Sequence, residues 1–319
     1  MDLGVMIEGQ EGLDWPLWRR IVTESEALGF ESLWRSDHFM SLSGPHDRSA
    51  LETFVSLVLV AEVSSRIRFG TLVASMTFRH PSLLARMAAQ VDVLSGGRFI
   101  LGVGAGWNVP EHEAFGLPFP SLRERMDRLD EGIRVLKTLW GDGPGTFEGE
   151  HYTVRDAEVV PKPAQRPMPL LVGGRGERRT LRIVAEHADE WNVTAVDLET
   201  YRDKARVLEQ HCIDVDRDPS TIRHSQMCGF VIGRDDAAVR AHLGRIAEKL
   251  VAMQRESSDD ALARLRGAGW LIGTPGEVVE EIGRREEAGL SRIMLQHHAN
   301  ADFDVLGLVA SDVLPQVQR

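Results

Sequence analysis

Short apolar runs alternate with stretches of helical spacing along the whole of this 319-residue chain, and no other feature restricts its fold as much. The strand-like runs fall at 3–7 (LGVMI), 31–35 (ESLWR), 67–73 (IRFGTLV), 98–104 (RFILGVG), 169–173 (PLLVG), 190–194 (EWNVT), 227–232 (MCGFVI) and 291–296 (SRIMLQ). Several are almost continuously apolar, as parallel strands covered on both faces must be. The stretches between them carry helix punctuation. Asp14 precedes Pro16, Gly29 closes the segment, and Leu17, Ile21 and Leu28 share a face. Met126, Leu129, Ile133, Leu136 and Trp140 repeat at helical spacing and stop at Gly141. Thr274-Pro275-Gly276-Glu277 reads as a capping box, with Gly289 at the far end. Eight such strands spread over the full length predict a (β/α)8 TIM barrel of the α/β class, one domain over 1–319. An open doubly wound sheet is the competing arrangement.

Residues 105–124, 141–168 and 233–274 exceed ordinary loop lengths. They read as insertions after strands 4, 5 and 7 that build the rim of a pocket, with a small hairpin around Gly149. No stretch approaches the 18 or so apolar residues of a membrane helix, and the N-terminus starts on a strand-like run rather than a basic, then apolar, export signal. The net charge of −11 argues against a nucleic-acid partner, which needs a positive surface. Cys212 and Cys228 form neither a CxxC motif nor a disulfide framework and suit a reducing compartment. A cytoplasmic protein with a small-molecule substrate is expected.

Three segments carry chemistry. Ser36-Asp37-His38-Phe39 follows the second strand, where barrel enzymes collect catalytic groups; a carboxylate beside an imidazole there gives a proton donor or acceptor near neutral pH. A His–Asp pair that merely holds the loop is the plainer alternative. Gly102-Val103-Gly104-Ala105-Gly106-Trp107-Asn108 follows the fourth strand, and its small residues let backbone approach a planar ligand or phosphate. It lacks the third glycine opening a helix and the acidic residue some 20 further on that a dinucleotide fingerprint requires. Trp107 reads as a pocket wall or a packing aromatic. Gly173-Gly174-Arg175-Gly176 closes the fifth strand before a helix, and free N–H groups with nearby arginines make an anion site. Arg79-His80-Pro81 reads as a helix start with His80 at the cap. His297-His298 ends the eighth strand, where His297 is expected to face the pocket. No ligand spacing for a metal appears.

Taken together, SDHF, LSGGRFILGVGAGWN, PKPAQRPMPLLVGG, AEHADEWN and GTPGEVVEEI resemble the luciferase-like flavin and deazaflavin oxidoreductases over essentially the whole chain, most of all the branch dependent on coenzyme F-420. The resemblance implies a deazaflavin ring at the C-terminal mouth of the barrel, with its phosphate near Gly173 to Gly176. It also implies a non-prolyl cis peptide at Leu72-Val73 against the back of the ring, and a homodimer. Cofactor contacts are then expected from Asp37, Leu72, Val73, Gly104, Ala105, Gly106, Trp107, Asn108, Gly173, Gly174, Arg175 and Gly176. Hydride transfer to or from a small organic substrate would use His38 as proton donor or acceptor, oriented by Asp37, with Trp107 and His297 lining the substrate space. The family's sugar-phosphate dehydrogenases have glutamate where Trp107 stands and tryptophan where Leu42 stands, so that activity is not inferred. A two-component monooxygenase using FMN is the alternative, and a deazaflavin carrier or sensor without turnover is a third reading.

Overall fold

The computed structural model describes residues 1–250, 253 and 256–318. In chain order the first half runs β1 (Asp2–Ile7), α1 (Trp15–Ala27), β2 (Ser32–Arg35), α2 (Thr53–Val63), β3 (Arg68–Thr71), β4 (Ala74–Ser75), α3 (Pro81–Leu94), β5 (Phe99–Gly104), α4 (Val109–Ala114) and α5 (Leu122–Trp140). A hairpin, β6 (Gly145–Glu148) and β7 (Thr153–Ala157), precedes β8 (Leu170–Gly173), α6 (Thr180–His187), β9 (Glu190–Thr194) and α7 (Leu198–Asp214). The chain ends with β10 (Arg223–Ile232), α8 (Asp236–Ala247), α9 (Ser258–Gly267), β11 (Leu271–Gly273), α10 (Pro275–Glu287), β12 (Arg292–Gln296), α11 (Phe303–Asp312) and α12 (Leu314–Val317).

Parallel pairing closes a ring in the order β12-β1-β2-β3-β5-β8-β9-β10, and β10 pairs back onto β12. All eight anticipated strands are the staves of this TIM barrel, so the open sheet is excluded. The seventh begins at Arg223, earlier than its apolar run, because His224, Ser225 and Gln226 still pair with β9 and β12. Period-two alternation sends Met6, Trp34, Ile100, Leu171, Met227 and Met294 inward and Leu3, Val5, Leu33 and Ile293 outward against the helices. Gly70 makes room for Trp34: a Cβ there would lie 2.8 Å from the indole and 2.3 Å from the Ile100 carbonyl oxygen. Below the core, Arg292 of β12 binds Glu31 (2.8 Å) and Glu190, tying three staves at their N-terminal ends.

The helix signals act as their chemistry requires. Asp14 accepts from Leu17 N–H (2.8 Å), His80 Nδ1 accepts from Ser82 N–H (3.2 Å) ahead of Pro81, and Glu277 accepts from Thr274 N–H (2.7 Å) in the capping box. Gly29 and Gly289 take positive φ at the helix ends. One expectation needs correction. Segment 141–168 leads into the fifth stave rather than following it, so its hairpin is not part of the rim; it packs back on α5, where Glu131 accepts from the N–H groups of Glu150, His151 and Tyr152. Within 233–274, the described part builds a satellite core from Val239, Leu243, Ile246, Leu262, Leu265 and Ile272; residues 251, 252, 254 and 255 of that segment lie outside the described residues. Among the described residues, no helix is long and apolar enough to cross a membrane.

Candidate active site

The C-terminal mouth holds a cleft of about 710 Å³, within the range that encloses a cofactor-sized ligand. Strand alternation fills it: on four staves the residue two beyond an inward core side chain reaches the mouth. Thus Glu8 follows Met6, Ser36 follows Trp34, Gly173 follows Leu171, and Gln296 follows Met294. The peptide Leu72-Val73 is cis, and both side chains line the cleft.

His38 stands on the loop after β2, its side chain 16% exposed. Its Nδ1 meets Glu111 Oε2 at 2.8 Å, and Glu111 is fully buried. The other Glu111 oxygen accepts from Phe39 N–H. Burial pulls the His38 pKa down, but the Glu111 hydrogen bond and the charges of Glu8 and Glu111 outweigh it and raise the pKa above the ordinary histidine value. Burial likewise pushes Glu111 up, and its bonds to His38 and the Phe39 N–H overcome this to hold it below the usual carboxylate range. Each partner thus favours the charged form of the other, imidazolium beside carboxylate. The expectation that Asp37 orients His38 is overturned. Asp37 is spent on Arg79, which binds it through both terminal nitrogens (2.6 and 2.9 Å), and on Ser75 N–H (3.0 Å).

Of the other anticipated residues, Gly106, Trp107, Asn108, Gly174 and Arg175 line the cleft beside those named above. Trp107 is 65% exposed and meets the His38 ring edge-on at 5.6 Å. Gly104 and Ala105 do not reach the cleft. A Cβ on Gly104 would sit 2.7 Å from Val73 Cγ2, so its missing side chain admits Val73 rather than a ligand, and Ala105 packs against the core. His297 is turned away altogether. Its neighbour Gln296 takes the inward position, so His297 points outward, fully buried, its ring 5.8 Å from Phe230; burial lowers its pKa to about 3.

Gly176 lies in an adjoining groove of about 890 Å³ that Arg175 shares with the cleft. Arg123, Arg178 and Lys204 line the same groove. Among the described residues, Arg123, Arg175 and Arg178 have no ion-pair partner, whereas Arg179 is tied to Asp127 (2.5 Å) and Lys204 to Glu177 (2.5 Å). The α6 N-terminus opens at this groove with no side chain capping it, although Leu181 N–H is taken by the Gly176 carbonyl oxygen (3.0 Å); the helix start and the unpaired guanidiniums converge there, as an anion requires.

Sequence reasoning missed Glu8, Arg79, Glu111 and Gln296. Glu111 had a readable signal: an N-cap Asn108 with Glu three residues later and Pro110 between is a helix-start pattern, and α4 does begin there. Gln296 was legible by parity from the strand.

Barrel enzymes with helices outside and chemistry at the C-terminal mouth form one broad class, and this layout belongs to it. The sequence pattern of the family described as luciferase-like monooxygenase matches residues 3–292, and the chain belongs to that family of oxidoreductases. An F420-dependent glucose-6-phosphate dehydrogenase of Amycolatopsis mediterranei (strain U-32) is 28% identical over 92% of each chain. Among solved structures, an F420-dependent secondary alcohol dehydrogenase in complex with an F420-acetone adduct superposes with a TM-score of 0.83 over 100% of this chain and 99% of its own, at 19% identity. The oxygenating constituent of 3,6-diketocamphane monooxygenase of Pseudomonas putida, in complex with FMN, superposes with a TM-score of 0.78 over 99% and 98%, at 18% identity.

Proposed function

We propose that the protein transfers a hydride between bound coenzyme F-420 and a small organic substrate. The observation that carries this is the His38–Glu111 couple at one wall of a cofactor-sized cleft whose other end opens into an arginine-lined groove. When bound, a deazaflavin supplies a two-electron hydride carrier; the protein supplies position, charge and a proton. Leu72 and Val73 form an apolar wall for the ring. Arg175, with Arg123 and Arg178 and the α6 N-terminus, suits the phosphate. His38, whose protonated form Glu111 favours, gives its Nε2 proton to a developing alkoxide or amide anion on the substrate, or accepts it in the reverse direction. Trp107 shields the imidazole's open side from water.

Titration of the purified protein with F-420, FMN and riboflavin tests the reading. F-420 is expected to bind at micromolar concentration or below, with an affinity that falls as salt is raised. No saturable binding of either F-420 or FMN would sink it. The FMN-containing relative keeps a monooxygenase reading open; binding of FMN in preference to F-420, with oxygen-dependent consumption of reduced FMN, would favour that reading. Tight F-420 binding without turnover of any aldehyde, alcohol, imine or enone would favour a carrier.

The homodimer belongs to the same reading. Helix α2 is apolar apart from Thr53, Ser56 and Glu62, and on its outside it leaves Val55 and Val58 exposed, as Leu83 of the neighbouring α3 is. Exposed apolar side chains grouped on one face mark an interaction surface, and a second copy of this chain is the occupant we assign. Val58→Glu is expected to halve the sedimenting mass in analytical ultracentrifugation; a native protein that sediments as a monomer would refute this assignment.

A further inference from the structure

Glu8 leaves the end of β1 and points into the cleft. Its carboxylate accepts from Gln296 Nε2 (2.6 Å) and Gln10 Nε2 (2.9 Å). Both donors are neutral amides, so they fix the carboxylate in place without cancelling its charge. Among the described residues Glu8 has no ion-pair partner, while the acidic groups near it are matched: Asp37 by Arg79, Glu11 by Arg48 and Glu111 by His38. His38 feels Glu8 through space as well, but its hydrogen bond goes to Glu111. The buried Arg35 behind the strand hydrogen-bonds Ser56 Oγ and the carbonyl oxygens of Ser36 and Leu51, not Glu8; it attracts Glu8, together with Asp37 and Glu52, through space and from outside the cleft lining. The one guanidinium in the cleft lining, Arg175, follows β8, which stands diametrically across the ring from β1.

The mouth is thus polarised, cationic at the glycine loop and anionic at β1. A fixed charge in a cleft with low-dielectric walls acts strongly on a bound charge of either sign. A phosphate monoester, carrying about −1.5 to −2 charge at neutral pH, is repelled from the β1 side, and an organic cation is held there. We infer that the cleft selects a substrate whose reacting region carries positive charge, an iminium ion that takes the hydride at carbon and becomes the neutral amine, and excludes phosphorylated substrates from that side. This rests on the oxidoreductase reading for the word substrate; the electrostatic selection itself rests on Glu8.

The test uses full-length protein, with and without bound F-420, and calorimetric titration of three probes of similar shape: piperidine (a cation at pH 7.5), tetrahydropyran (neutral) and cyclohexyl phosphate (an anion). Piperidinium is expected to bind at least tenfold more tightly than tetrahydropyran, and this preference is expected to disappear in Glu8→Gln. In the native protein the preference should also shrink between about 0.05 and about 0.5 M salt, which keeps the proposal testable if the variant fails to fold. Cyclohexyl phosphate should not compete with piperidinium. Equal affinity for piperidinium and tetrahydropyran, a preference that survives Glu8→Gln, or no piperidinium binding at millimolar concentration would overturn the proposal. Failure of F-420 to bind would instead overturn the cofactor reading and leave the Glu8 preference measurable on the unloaded protein.

Discussion

Replacing Glu111 by Gln keeps the size of the side chain and removes its charge, and the structure sets how much stability that should cost. The Oε2–Nδ1 distance is 2.8 Å, Glu111 is fully buried and His38 is 16% exposed, so solvent screens the pair little. A hydrogen bond between charged groups contributes about 1.5–3 kcal/mol net, far below the bare Coulomb energy because burying the ions costs most of it. A loss of about 2 kcal/mol follows. Its pH dependence is the sharper signature. The raised His38 pKa means that its contribution is full below the unfolded value of 6.5 and fades as pH climbs through the folded value. The depressed Glu111 pKa means that its contribution is full above 4.5 and fades as pH falls through the folded value. The gap between native and variant protein should therefore be widest between 4.5 and 6.5 and narrow on either side. Urea denaturation followed by tryptophan fluorescence across pH 3 to 10 measures it. A gap that does not change with pH, or one below about 0.5 kcal/mol throughout, would refute the argument that these two residues form a charged pair. Any activity that needs protonated His38 should lose its alkaline range in the same variant.

His297→Phe addresses a different histidine. Burial holds the folded pKa of His297 near 3, against 6.5 unfolded, so the native protein should lose stability below pH 6.5, by about 3 kcal/mol from this residue at pH 4; acid denaturation of the variant should begin at lower pH. Gly102→Ala would put a Cβ 2.1 Å from the Thr71 carbonyl oxygen, and a thermal melt should show a loss of about 1–3 kcal/mol or failure to fold. Arg175→Ala should weaken binding of F-420 or FMN about tenfold and leave riboflavin, which lacks the phosphate, unaffected in a fluorescence titration; equal weakening of all three would remove Arg175 from the phosphate site.

The barrel was legible because its determinants are local. Continuous apolar runs such as Leu3–Ile7, the cap at Asp14 and the capping box at Thr274 and Glu277 act within a few residues, and each appears in the structure where the sequence put it. The cleft was legible in outline: His38, Trp107, Gly174 and Arg175 come together because each follows a stave at the same end of the ring. What failed is equally specific. His297 was assigned to the pocket although Met294, an evident core residue, fixes the inward parity on Gln296. The hairpin near Gly149 was recognised as a hairpin, but counting it after the fifth strand rather than before it put it on the wrong end of the barrel.

Sequence alone thus settled that strands and helices alternate, roughly where they lie, and which motifs end strands, since backbone propensity and side-chain period are short-range properties. Only the folded chain decided the charges. Asp37 is adjacent to His38 in sequence, yet successive residues point apart, and Arg79 claims Asp37 from a different stave. Glu111, 73 residues away, arrives at His38 because ring closure and the short α4 bring it there. Among the described residues Glu8 is left without an ion-pair partner for the same reason. Ion pairing depends on distances of a few ångströms between distant segments, and linear spacing does not encode those distances.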